Sequence, residues 1–268
     1  MNIPADTDVT SEYRVFADPT SKALNDNIED ATCPLGNGKH LGRASYGLGD
    51  LDKLPVELQS IVLVHLDLRT LTDFRRVNRQ AMEVVDTLPE YRSILQHSPV
   101  SLRAIFSVDL GKSITCQQLH DTLRAADCHG CRQPADFIYL LKCCRICLKC
   151  LCWRINYCPI TTHDAVRLFA VPARLLAELP TIRSIPGQFG AVNKVWHDRL
   201  NLVDAWSAFL VGRAYWAEHL DAQRQRYHHG TYDVPLPSII APMTVPFRFY
   251  PEPYRFMAVV RVPRIQDQ

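Results

Sequence analysis

Cysteine offers this chain its most distinctive chemistry, and its distribution is uneven. Ten cysteines occur in 268 residues, and eight of them lie between Cys128 and Cys158. Two residues separate Cys128 from Cys131, two separate Cys147 from Cys150, and 15 residues separate the pairs. Two such turns, brought together by a strand hairpin, present four soft thiolates at the spacing of a tetrahedral zinc site, with zinc–sulfur bonds of about 2.3 Å. Four thiolates close the coordination shell, so the zinc expected here is structural, not catalytic. Gly130 suits the tip of the first turn. Arg132, Lys142, Arg145 and Lys149 stand close enough in sequence to offset the charge of a tetrathiolate and to favour ionised sulfur. Cys143 and Cys144 compete as alternate ligands, and Cys152 and Cys158 fit less well. Cys33 and Cys116 stand alone and are read most simply as buried thiols. Thiol redox chemistry is a second reading, although the βαβ context of a thioredoxin-like site is missing. Chance clustering is a third.

The elements that must position these residues read as mainly α. Residues 1–47 carry scattered acids, closely spaced glycines after Gly36 and no sustained apolar period, which predicts a disordered leader. Regular structure starts at Leu51. Pro55 suits a first helical turn, and Leu58, Ile61, Val62, Leu63, Val64 and Leu66 continue an apolar helix. A second helix near Thr70, capped by Thr70 or Asp67, places Leu71, Phe74 and Val77 on one side. A third covers Gln80 to Asp86, and Pro89 opens another turn through Tyr91, Ile94 and Leu95. Two short helices are expected between Ser98 and Asp127, and a strand over Phe137 to Leu141. From Thr161, three helical pieces are divided by Pro172, Pro180 and Pro186. The longest helix is expected from Asn193 to about Arg226, with Trp196, Leu200, Val203, Phe209, Leu210 and Trp216 as its apolar spacing. After Gly230 the prolines 235, 237, 242, 246, 251, 253 and 263 predict an extended tail that covers the surface or trails free.

Residues Leu51 to about Leu95 carry a second, separate implication. The run Ile61 to Val64 makes the first helix apolar on more than one face. A unit of some 45 residues buries too little area to be safely stable alone, so extra apolar surface on it points to a partner. An ordinary helical hairpin with an all-core apolar set is the alternative.

The Leu54-Pro55-x-Glu57-Leu58 start, Ile61, the Leu66-x-Leu68 to Leu71 step and Phe74-Arg75-Arg76-Val77-Asn78-Arg79 resemble an F-box. The resemblance implies a three-helix module over residues 48–97 that docks on the Skp-type adaptor of a cullin–RING ubiquitin ligase. Leu54, Pro55, Leu58, Ile61, Leu66, Leu71, Phe74 and Val77 match its pattern positions. Which of them touch the adaptor and which form the internal core is left open. Further on, Leu140-Leu141-Lys142-Cys143-Cys144-Arg145-Ile146-Cys147-x-x-Cys150, followed by Leu179-Pro180-Thr181-Ile182-Arg183-Ser184-Ile185-Pro186-Gly187, resembles fungal F-box proteins that carry a cysteine-rich segment after the box. The division then reads as a leader (1–47), an F-box (48–97), a cysteine-rich, zinc-stapled segment with short helices (98–190), and a long helix with a proline-rich tail (191–268).

Composition bounds these readings. Apolar residues are 47% and charged residues 22%, ordinary for a chain with a buried core. A net charge of +2 is too small to argue for nucleic acid or membrane. The start lacks the basic and apolar regions of a secretory signal, and no stretch approaches the roughly 18 apolar residues of a membrane helix. An intracellular protein of the cytoplasm or nucleus is expected. No phosphate loop, nucleophile elbow or His-Glu-x-x-His motif occurs. The reading is therefore a substrate-recognition adaptor, not an enzyme, whose cargo protein the sequence does not name. The rival is a zinc-dependent nucleic-acid-binding or scaffold protein, motivated by five Lys/Arg against Asp136 alone over residues 128–154.

Overall fold

A computed structural model describes residues 22–28, 46–191, 193–227 and 252–262, with the side chains of 220–227 and of residue 252 left out. Most of the predicted leader and the stretches 228–251 and 263–268 lie outside the described residues. So does Cys33.

Short helices follow one another through the first half. They are α1 (Val56–Val64), α2 (Leu68–Arg75), α3 (Arg79–Thr87), α4 (Pro89–His97), α5 (Pro99–Ser107) and α6 (Cys116–Arg124). Their boundaries follow from local chemistry. Asp67 caps α2 by accepting the Thr70 N–H at 2.8 Å, and Asn78 caps α3 by accepting that of Ala81 at 2.8 Å. Pro89 and Pro99 occupy first turns, where a missing N–H costs nothing. Arg75 grips Asp86 with two parallel bonds, 2.7 and 2.9 Å, tying α2 to α3. Leu68, Leu71, Val85, Leu88, Tyr91 and Ile94 fill the space between these helices.

The second half mixes helices with small sheets. β1 (Phe137–Tyr139) and β2 (Cys144–Ile146) form an antiparallel hairpin, with Phe137 opposite Ile146. Then come α7 (Leu148–Trp153), β3 (Pro159–Thr161), α8 (Thr162–Phe169), α9 (Ala173–Leu176), β4 (Thr181–Arg183), β5 (Gly187–Gln188), β6 (Val195–Trp196), β7 (Asn201–Asp204) and α10 (Ala205–Tyr227). α11 (Glu252–Met257) and β8 (Val259–Arg261) complete the described elements. β1 lies between β2 and β8, β7 lies between β3 and β4, and β5 pairs with β6. The β3-β7-β4 sheet therefore joins residues on both sides of position 190. One large core spans the helices and the β2-β1-β8 sheet. A smaller one gathers Cys158, Ile160, Phe169, Val171, Val203 and Ala208. Among the described residues, no helix is long and apolar enough to cross a membrane.

The mainly α expectation holds at this coarse level, and four local expectations do not. The long helix begins at Ala205, not Asn193. Trp196 lies in β6 and Val203 in β7, because Val203 is needed opposite Ile160 and Thr181 in the sheet. The third piece after Thr161 is the strand β4, not a helix. Finally, the described part of the proline-rich tail neither covers the surface nor trails free. Phe256, Met257, Ala258, Val259 and Val260 are fully buried, as the third strand of a sheet and the helix that leads into it. Part of the leader is buried as well: Ala23 and Leu24 belong to the main core.

Candidate functional site

Two turns bring the cysteines together. In the first, the Cys128 N–H donates to the Gln133 carbonyl at 2.7 Å and the Arg132 N–H to the Cys128 carbonyl at 2.9 Å. Arg132 closes this turn in the left-handed region, with φ +62°. The Gly130 N–H points at the Cys128 sulfur, 3.4 Å away. A Cβ at Gly130 would meet the Tyr157 hydroxyl at 3.0 Å and the Cys150 sulfur at 3.2 Å, so glycine is what lets the turn approach. The second turn is the step from β2 into α7. Cys147 caps that helix with its sulfur, which accepts the Cys150 N–H at 3.4 Å. The His129 N–H donates to the Arg145 carbonyl at 2.8 Å and ties the first turn to β2.

The result is four sulfurs, of Cys128, Cys131, Cys147 and Cys150, all within 4.8 Å of one another. The sulfurs of Cys131 and Cys147 are 3.5 Å apart. Cys128 and Cys150 are buried, and Cys131 and Cys147 are half-buried. Burial pushes the Cys128 thiol up, but backbone N–H bonds and the Cys131 thiol outweigh it and bring it down to about 7. Burial keeps the Cys147 and Cys150 thiols above the ordinary range, and neighbouring thiols add to the effect. Four convergent soft donors, one already inclined to ionise, can hold a metal ion.

Of the six cysteines that competed as ligands, the fold brings together these four and sets two apart. Cys143 sits at φ +44° with its sulfur 3.6 Å from the Thr122 hydroxyl, and burial pushes its thiol up to about 11. Burial pushes the Cys144 thiol up to about 12. Cys116 is a buried thiol at the start of α6, pushed up to about 12.

The nearby cations do not all face the sulfurs. Arg132 and Lys149 are exposed. Lys142 instead pairs with the buried Asp204 at 2.9 Å and donates to the Asn156 carbonyl. Arg145 is itself buried. Its guanidinium donates to the carbonyls of Thr122 (3.1 Å) and Leu123 (2.9 Å) at the end of α6, and of Ala135 (3.2 Å). A residue that the sequence did not single out, Arg255, donates to the carbonyls of Leu151 in the last turn of α7, of Arg154 just past its end, and of Tyr157 in the turn that follows. An isolated arginine among prolines carries no local signal for such a role.

The helical module sorts its eight pattern residues by exposure. Leu54, Pro55, Leu58, Ile61 and Val77 are exposed. Val56 and Val62 join them, so α1 and the turn after α2 present a largely apolar face. Leu71 is fully buried, and Leu66 and Phe74 pack partly buried against the core. α1 buries only Gln59, Leu63 and Val64. Gln59 is held there by donating to the Leu54 carbonyl at 2.9 Å.

No family model, curated protein or solved structure matches the chain.

Proposed function

We propose that the chain is a substrate-recognition adaptor whose residues 48–97 dock as an F-box on the Skp-type adaptor of a cullin–RING ubiquitin ligase. The observation that carries this reading is the face of α1. Ile61 is 56% exposed, Val56 60% and Val77 67%, while the module's own core is closed by Leu63, Leu68, Leu71 and Val85. These exposed side chains are therefore surplus to folding, and exposed apolar surface of that kind fits a protein partner. The F-box resemblance of the same residues supplies the partner's identity. The remainder of the chain then presents the cargo to be ubiquitinated.

The metal held by Cys128, Cys131, Cys147 and Cys150 is zinc in this reading. Zinc–sulfur bonds of about 2.3 Å in a tetrahedron place sulfurs about 3.8 Å apart, and the sulfurs here lie within 4.8 Å of one another. A shell closed by four thiolates staples structure and does no chemistry on a substrate. The nucleic-acid reading loses much of its motive, because Arg145 is buried against carbonyls and Lys142 is paired with Asp204.

Co-expression with a Skp-type adaptor tests the main proposal. A complex of equal stoichiometry and about one zinc per chain in chelator-free protein are expected. A folded chain that fails to bind the adaptor would sink the ligase reading. Less than about half an equivalent of zinc would sink the metal assignment.

A further inference from the structure

Residues 252–262 and the four-cysteine site share their supports. The six-residue helix α11 and the three-residue strand β8 are too short to stand by themselves. In sequence they follow α10 only after 24 residues, 228–251. What holds them is docking: β8 packs on residues 24–27 and α5, and α11 on β3, but both also dock onto the elements that present the cysteines. Arg255 donates to the carbonyls of Leu151, Arg154 and Tyr157. The first closes the last turn of α7, the helix that Cys147 caps and that contains Cys150. β8 pairs with β1, and the other neighbour of β1 is β2, which runs directly into Cys147. Arg145 sits in β2 two residues before Cys147. Its guanidinium reaches the Val262 carbonyl at 3.5 Å, and its own carbonyl takes the His129 N–H from the first cysteine turn.

We infer that the metal site is a latch on this segment: metal bound to Cys128, Cys131, Cys147 and Cys150 keeps residues 252–262 closed over the core, and loss of the metal releases them. α7 has only six residues, and its first turn is fixed by a cysteine cap. Cys150, Leu151 and Cys152 seat the helix in the core, and metal on Cys147 and Cys150 pins its first turn, so loss of the metal loosens the carbonyls that Arg255 binds. Closure of the segment in turn orders α7 and preorganises Cys147 and Cys150. Two ligands that favour the same folded element favour each other, and the coupling is reciprocal. The buried length of the segment, from Arg255 to Val260, makes release a large change in exposed apolar surface. The inference rests on the metal reading and is independent of the ligase reading.

Hydrogen exchange on the full chain, followed by mass spectrometry with and without zinc, tests it. Zinc content is measured first, then removed by a chelator, and its loss is verified. On removal, amides of 252–262 and 147–157 should exchange at least about tenfold faster, while those of 56–97 stay within about twofold. Protection of 252–262 that survives zinc removal overturns the inference. So does simultaneous loss of protection in 56–97, which would make zinc a requirement for the whole fold. Protein that neither carries nor takes up zinc overturns the metal reading with it, whereas zinc-loaded protein with an unresponsive segment overturns the latch alone. The reciprocal arm uses Arg255→Met in zinc-loaded protein. Transfer of zinc to a chromogenic chelator should quicken about tenfold, with Arg255→Lys in between; an unchanged rate overturns the coupling.

Discussion

At the scale of single residues, the cysteines divide into those that converge and those that are merely near in sequence. Cys147 is both a sulfur of the cluster and the cap of α7. Cys143, four positions earlier, turns its sulfur toward Thr122 and the Gln118 carbonyl. Cys147→Ser should therefore reduce bound zinc to below about a fifth of an equivalent and destabilise the middle of the chain. Cys143→Ser should keep about one zinc and cost only the burial of a hydroxyl, about 1–3 kcal/mol. Metal analysis and chemical denaturation of the two variants check this. Equal zinc loss in both would mean that the ligand set is wrong. The four cysteines were legible because ligand spacing is a local property of the chain. The partners of the two buried arginines were not. Arg145 and Arg255 bind carbonyls at helix ends, and a carbonyl has no residue type to betray it. Proximity in sequence suggested that Arg145 would face the sulfurs, but its side chain runs to the end of α6 instead.

At the scale of elements, three of the four helices from Val56 to His97 were readable from a local signal at their start, Pro55, Asp67 or Pro89; the third was placed without its cap, Asn78. The strands β4, β6 and β7 were not, since their reasons are distant partners. Trp196, Leu200 and Val203 follow a helical spacing by coincidence, and only pairing with Ile160 and Thr181 makes Val203 a strand residue. Pattern alone also could not say which module residues face out. Exposure now separates them, and with it two kinds of failure. Ile61→Asp lies on the exposed face, so it should cost about 1 kcal/mol or less in stability yet abolish capture of the Skp-type adaptor. Leu71→Ala removes a fully buried side chain; it should cost about 2–5 kcal/mol, and any loss of binding should track unfolding. Circular dichroism melts alongside adaptor pull-down distinguish the two. Full binding by a folded Ile61→Asp chain would remove the docking role from this face.

At the scale of the whole molecule, the core is completed by segments far apart in sequence. Residues 22–28 pack beside β8, where Asn25 accepts the Arg261 N–H at 2.9 Å. Nothing in the composition of the leader announced this, because the contact is made by seven residues within an otherwise polar stretch. Its firmest anchor is Asn27, which pairs with Gln188 in both directions. Its amide donates to the Gln188 carbonyl at 2.8 Å, and its oxygen accepts the Gln188 N–H at 2.9 Å. Gly187 makes room for it: a Cβ there would fall 2.4 Å from the Asn27 oxygen, and the backbone sits at φ +152°. Gly187, which closes the second stretch of resemblance, is thus the seat of the leader. Asn27→Ala should cost about 1–3 kcal/mol, since it leaves the Gln188 backbone groups without these bonds. Gly187→Ala should cost as much or more, through the clash and the strained φ. Combined, the two should be less than additive by about 1 kcal/mol, because most of the clash disappears with the Asn27 amide while the strain stays. A double-mutant cycle by urea denaturation reads this coupling directly. Strict additivity would mean that the leader does not dock at Gly187, and that the core closes without it.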